Sequence, residues 1–427
     1  MSESTELQKR LARLRRLGLR KGTTRLQAKE EKPSRAKSQI GIENVVAGRV
    51  HQTSHGTCFI AEEVWPLTHQ HGDLPLSAAL GVSGQTLARL AGLPDGDSFD
   101  LRRAIFFDVE TSGLSGGTGT FVFQVGAGFF EDDSFHLQQF FMRDPVEEPA
   151  YLDAIGNLLD RFDALVSFNG RSFDLPLLNS RFILTRQPRR MARAPHLDLL
   201  TPSRRLWRRR LESCSLGSLE RQVLGVKRGE KEVPGWLVPR LYFDYIQTGD
   251  ATDMAGVFYH NLIDIISMVT LTARLGAIFQ NPQTAGPLDA LDLFSLGRWY
   301  ESLGMVTESE SAYRRALAGT LGRETRTSIR RHLSFLLKRQ GRREEAVTIW
   351  RGVTEEGERA DVYAHIELAK HYEWLVKDLP AAAEITHQAM ALLQAESPDR
   401  RARETLDELA HRLRRLERKL AQRDARR

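Results

Sequence analysis

Only two cysteines occur in 427 residues, and Cys58 and Cys214 lie far apart with no C-x-x-C pair. That excludes a disulfide framework and a thiolate zinc site, and both are read as small buried hydrophobes. No uninterrupted run of 18 or more apolar residues occurs, so no membrane span is expected. The N-terminus lacks the apolar core of a secretory signal, which makes the cytoplasm the expected location. The glycine-rich stretch Gly113–Gly119 lacks a following G-K-[ST], which disfavours a P-loop nucleotide triphosphatase.

What is present is unevenly distributed. Residues 1–37 carry twelve Lys and Arg against four Glu, a net of +8 within an overall +6, so the other 390 residues sum to −2. Residues 1–40 are read as a basic, disordered tail, although Leu7, Leu11 and Leu14 have the spacing of a short basic helix. Residues 41–100 read as an irregular N-terminal extension rich in turn signals. Its pairs His51/His55 and His69/His71 have no further ligand cluster nearby to make a metal site.

From 101 to 280 the pattern is that of an α/β domain. Ala104–Glu110, Thr120–Phe130 and Ser134–Met142 read as three successive strands, Glu147–Phe162 as a helix, Ala164–Phe168 as a buried strand and Ser172–Leu184 as a helix. Further helices are expected at Leu216–Leu224 and Gly256–Leu275. The order βββαβα in a mixed sheet is that of a ribonuclease-H-like fold. Residues 288–427 read as an all-α domain. Leu296, Gly297, Tyr300, Gly304, Tyr313 and Ala316 match tetratricopeptide positions, and Leu333, Leu337, Gly341, Ala346 and Trp350 repeat them with a 37-residue period. Leu368, Ala369 and Tyr372 follow after another 35 residues, with a generic helical bundle as the alternative, and a charged helix near Arg400–Gln422 closes the chain.

Asp108 and Glu110, two apart on a strand, leave the same face. Paired carboxylates repel, and hard oxygens suit Mg²⁺ or Mn²⁺. Asp174 follows a buried strand at the start of a helix, and Asp264 lies on a largely apolar helix. F-D-V-E-T-S-G-L at 107–114, F-N-G-R-S-F-D-L-P-L-L at 168–178 and H-N-L-I-D at 260–264 together resemble the DEDD 3′–5′ exonucleases of the ribonuclease-H-like superfamily. The G-G-T-G-T at 116–120, P-H-L-D-L-L at 195–200, R-R-L-W-R at 204–208 and P-G-W at 234–236 look most like its YprB-like branch, which couples such a domain to tetratricopeptide repeats. The likeness covers roughly residues 45–395.

That resemblance implies a metal-dependent 3′–5′ exonuclease in which Asp108, Glu110, Asp174 and Asp264 bind two divalent ions, Mg²⁺ or Mn²⁺. The family places its general base as Tyr four residues before the last Asp or His five before it, whereas here His260 stands at four and Tyr259 at five. A separation of four returns to nearly the same helix face, so His260 is the expected catalytic base. Thr111, Gly116, Gly117, Asn169, Gly170 and Phe173 are candidates for contacting nucleic acid, with a plain turn and a core ring as the alternatives for the glycine loop and Phe173. Asp198 is either a neighbour of the metal ligands or a cap. Arg204, Arg205 and Arg208, within a run of five arginines and Trp207, are expected on a nucleic-acid backbone. The helical repeats imply a protein partner. A structure-specific endonuclease on the same fold and a non-catalytic nucleic-acid-binding scaffold are the alternative readings.

Overall fold

The computed structural model describes residues 40–113, 120–189, 194–355, 362–394 and 400–425, apart from the side chains of 401 and 424. Residues 1–39 of the basic tail, and Gly116 and Gly117, lie outside the described residues.

The sheet has seven strands: β1 (Arg49–Thr53), β2 (Gly56–Pro66), β5 (Ala104–Thr111), β6 (Val122–Glu131), β7 (Ser134–Phe141), β8 (Ala164–Ser167) and β9 (His196–Asp198). Their order is β1-β2-β7-β6-β5-β8-β9, antiparallel as far as β5 and parallel from β5 through β9. A separate hairpin joins β3 (Gln70–His71) to β4 (Leu74–Pro75). The central strands are buried on both faces, so they read as near-continuous apolar runs. The β6–β7 connection is two residues long, with Asp132 at φ 48°, and Asp tolerates the left-handed region that such tight turns demand.

The expectation that 41–100 is irregular is corrected. It supplies β1 and β2, which extend the sheet beside β7, and a helix α1 (Gly84–Ala91) whose first turn is capped by the Ser83 side chain. In β2 only the run Cys58–Ala61 is buried while the next three residues are exposed. A strand half covered by neighbours lacks the clean two-residue alternation that announces a strand in sequence. Cys58 is buried as expected, whereas Cys214 is only partly so.

The helices α2 (Glu148–Leu159), α3 (Asp174–Leu184), α4 (Leu200–Trp207), α5 (Leu216–Leu219), α6 (Val238–Thr248) and α7 (Met254–Gln280) complete this domain. One sheet face packs Ile105, Phe107 and Val109 against Tyr151, Ile155 and Tyr242 of α2 and α6, and the other packs Phe106 against Ile265 and neighbours of α7. α7, 27 residues and thus about 40 Å long, is long and apolar enough by length and composition to cross a membrane, yet 72% of its most apolar window is buried inside the protein. Gly126 and Gly128 on β6 let it lie close. A Cβ on Gly128 would stand 2.6 Å from Ile265 Cγ2 and 2.5 Å from the Phe135 ring.

An all-helical region follows: α8 (Ala290–Ser302), α9 (Val306–Ala318), α10 (Arg323–Arg339), α11 (Arg343–Glu355), α12 (Tyr363–His371), α13 (Leu379–Gln394) and α14 (Arg400–Asp424). Each helix packs on the next, and Tyr313, Leu337, Trp350 and Leu368 are buried in their shared core, while Leu296 is buried in the core of the α/β domain. The charged α14 is tied down by the buried carboxylate of Glu373, which accepts from Arg412 at 2.7 Å, Arg415 at 2.7 Å and Lys419 at 2.9 Å.

Gly128→Ala tests the α7 contact. It overpacks a filled site and is expected to cost about 1–3 kcal/mol, seen as a lower Tm with unchanged helix content. An unchanged Tm would contradict the packing.

Candidate active site

β5 carries Asp108 and Glu110 on the face that α7 covers, at the end where its ladder with β6 shifts register after Glu110. Such irregularities re-aim side chains at strand ends. Opposite Asp108 in the ladder is Gly126, where a Cβ would fall 2.1 Å from Asn261 Oδ1 of α7. The missing side chain lets Asn261 Nδ2 donate to Asp108 Oδ2 at 3.0 Å, while its Oδ1 accepts from Gln139 Nε2 of β7 at 2.9 Å. This fully buried amide relay fixes one oxygen of Asp108. Asn261 has no role assigned to it from sequence, although it stands inside H-N-L-I-D.

Asp174 opens α3, where the positive end of the helix favours a carboxylate. The turn before it is held by Asp198. That carboxylate accepts from the backbone N–H of Asn169 at 2.8 Å, Arg171 at 3.2 Å and Leu200 at 3.1 Å, so both of its oxygens serve to shape the loop. Asn169 takes φ 66°, and Gly170 is small because a Cβ there would sit 2.5 Å from Ser167 Oγ and 2.9 Å from Asp174 Oδ2.

The four acids feel one another. Burial, then the charges of Asp264 and Asp174, push Asp108 well above the usual carboxylate range. Glu110 is raised by burial, then by Asp108, Asp264 and Asp174. Burial, then Asp198 and Asp264, push Asp174 up to about 7. Asp264 is raised by burial against the opposing pull of His260 and Arg228. Among the described residues the carboxylates of Glu110 and Asp174 have no hydrogen-bond or ion-pair partner. Hard, partly buried oxygens that repel and lack internal partners are a donor set that fits a divalent cation. As they stand, no three such side chains of the described residues close to ligating distance around one point. Asp264 is turned onto Arg228, whose guanidinium also holds Glu220 at 2.6 Å and Glu232 at 2.7 Å.

His260 is one turn before Asp264, with Nε2 3.6 Å from Asp264 Oδ2 and Nδ1 2.6 Å from Glu232 Oε1. Tyr259 faces elsewhere, its hydroxyl accepting from Gly229 N at 2.9 Å. Glu232 was missed, because it comes from an aperiodic loop 28 residues earlier in the chain. The same loop brings Gly235 within 3.6 Å of His260 Nε2 for a Cβ built on it, next to Trp236, which is 71% exposed.

Residues 105–276 match the sequence model of the RNase H superfamily. Over 341 residues the chain is 30% identical to the uncharacterized protein YprB of Bacillus subtilis (strain 168), covering 78% of this chain and 80% of that protein. The chain belongs to the YprB family. The RNase H-like superfamily suggests a nuclease acting on nucleic acid, and its nucleases generally use divalent metal ions.

In this YprB-family chain the remaining sequence candidates divide. Thr111 turns inward, its hydroxyl bonding Gly113 O at 2.9 Å. Phe173 is 46% exposed rather than core, beside Asp174. Of the arginine run, Arg204 and Arg208 are exposed, Arg205 lies over the Trp299 ring at 5.4 Å, and Arg210 pairs with Asp292 at 2.9 Å. Arg210 therefore docks α4 on the helical region. The histidine pairs form no metal cluster among the described residues. His71, for one, bonds Ser267 Oγ at 2.8 Å.

The acid repulsion predicts a stability signature. Asp174 has a folded pKa of about 7 against an ordinary 3.8, so ionising it opposes folding progressively from pH 3.8 to 7. In metal-free buffer Asp174→Asn should melt above wild type at pH 7.5, by a margin that shrinks at pH 5. Equal melting at both values would contradict the coupling.

Proposed function

We propose that this chain is a metal-dependent nuclease of the DEDD type that removes nucleotides from the 3′ end of a nucleic-acid strand. The observation that supports it most is the set of four buried or partly buried carboxylates gathered from β5, α3 and α7, in which the charge of Asp264 raises the other three. Asp108, Glu110, Asp174 and Asp264 would hold two divalent ions, Mg²⁺ or Mn²⁺, which when bound supply charge stabilisation at the scissile phosphate and the departing oxygen.

The chain's own groups do the rest. His260 takes the proton of the attacking water, with Nε2 on the side of Asp264. Glu232 Oε1 at 2.6 Å from Nδ1 is much closer than Arg228 Nη1 at 3.2 Å, so Nδ1 carries the proton donated to Glu232 and Nε2 is the proton acceptor. The exposed rings of Phe173 and Trp236, flanking the acids and His260, offer faces for stacking the terminal bases. The helical region acts as a tetratricopeptide-like module that docks a protein partner, a reading supported by the burial of its repeating Leu, Tyr, Ala and Trp positions between successive helices. The setting proposed is the cytoplasm.

Matched single- and double-stranded DNA and RNA, end-labelled and incubated with Mg²⁺ or Mn²⁺, test the reading. Stepwise release of mononucleotides from the 3′ end is expected, abolished by Asp108→Ala. Cuts within a circular strand would overturn the exonuclease assignment, and no hydrolysis of any substrate would overturn the nuclease. His260→Ala should lower kcat by about 10²–10⁴, and an unchanged kcat would remove the base assignment. Trp236→Ala should raise KM for single strands with little change in kcat, consistent with about 1–3 kcal/mol per stacked base.

A further inference from the structure

Away from the acids, α4 and α8 enclose a cavity of about 220 Å³ lined by Arg205, Arg208, Arg209, Arg298, Ser295 and Trp299. Four guanidinium groups face one small space, and none has a carboxylate partner among the described residues. Burial, with the charges of Arg298 and Arg208, holds Arg209 below its ordinary value. A cationic cluster of this kind repels itself and gains by taking up an anion.

Two further observations point to a ligand. Ser295 Oγ and Trp299 Nε1 both belong to residues at most 5% exposed, both line the cavity, and neither has a hydrogen-bond partner. Buried donors without acceptors are uncommon in native proteins. Residues 295, 298 and 299 are neighbours on one face of α8, so the Ser295, Arg298 and Trp299 side chains share one wall of the cavity.

The cluster is also pre-positioned. Arg205 lies over the Trp299 ring at 5.4 Å, Arg209 over Phe294 at 4.9 Å, and the adjacent Arg210 is fixed on buried Asp292. A guanidinium held over a ring makes no hydrogen bond to it, so its N–H groups stay available to phosphate oxygens.

We propose that this cavity binds a phosphate group, and that its occupant in use is a backbone phosphate of the strand being processed. The identity of the strand rests on the nuclease reading, whereas the phosphate site does not. Asp198, which shapes the turn before Asp174, stands just ahead of α4, the helix that carries Arg205 and is capped by Arg208. The helical region thereby contributes directly to substrate binding through Ser295, Arg298 and Trp299.

The test uses the full chain in EDTA, so that binding is read without hydrolysis. Arg208→Gln combined with Arg298→Gln removes two exposed charges that hold no structural partner among the described residues, and its Tm without ligand should be no lower than wild type. For a labelled single-stranded oligonucleotide, affinity should fall about tenfold, and the slope of log affinity against log salt should shrink by about 0.7 for each phosphate that is no longer neutralised. Trp299→Phe keeps the ring under Arg205 but removes the N–H, and should weaken binding several-fold at unchanged slope. In a second arm, inorganic phosphate should raise the Tm of wild type but not of the double variant. If oligonucleotide affinity, slope and phosphate protection are all unchanged in a well-folded double variant, the site is overturned. Loss of phosphate protection with an unchanged oligonucleotide slope would keep the site but overturn the strand as its occupant, leaving a free phosphate-bearing small molecule. Absence of hydrolysis by wild type would defeat the nuclease and leave this binding result standing.

Discussion

The close approach of α7 to β6 is the contact on which the rest of the site depends. Without side chains at Gly126 and Gly128, the helix settles onto the sheet. Asn261 reaches Asp108 through the gap, and Asp264, one turn further along, comes into electrostatic range of Glu110 and Asp174. The same register turns His260 toward Asp264 and the loop carrying Arg228 and Glu232. A fold that wants only stability would fill this interface with apolar side chains. Here it is filled by an amide relay and a set of acids.

Those acids are costly in the isolated protein. Each is buried or partly so, and Asp264 raises the other three, which is the pattern expected where stability is given up for a charge-binding site. Arg228 partly relieves the strain at Asp264, and it is itself anchored by Glu220, which continues through Ser267 to His71 of the N-terminal hairpin. The segment before residue 101 thus supports the wall of the site as well as lengthening the sheet.

Much of the α/β domain was legible because its elements have strong periodicity. The strands β5 to β8, the helices α2 and α3 and the long α7 announced themselves through apolar spacing, and D-x-E on a strand fixed two of the acids on one face. The parts that were not legible are those set by long-range pairing. β2 lacks a clean alternation because only half of it is covered, and the three residues of β9 are too few to show a pattern. Glu232 lies in a loop whose position follows from Arg228 and His260 rather than from local preference. The arginine run was visible as charge, but its division between docking on α8 and facing a cavity depends on Phe294, Asp292 and Trp299, which come far later in the chain.

Everything proposed for the reaction rests on the gathered carboxylates being a site for divalent cations. Electron paramagnetic resonance can count the Mn²⁺ bound per chain, with wild type beside Asp108→Ala. Two ions are expected on wild type, weakened or lost in the variant. No bound Mn²⁺, or equal binding by both proteins, would contradict the metal site.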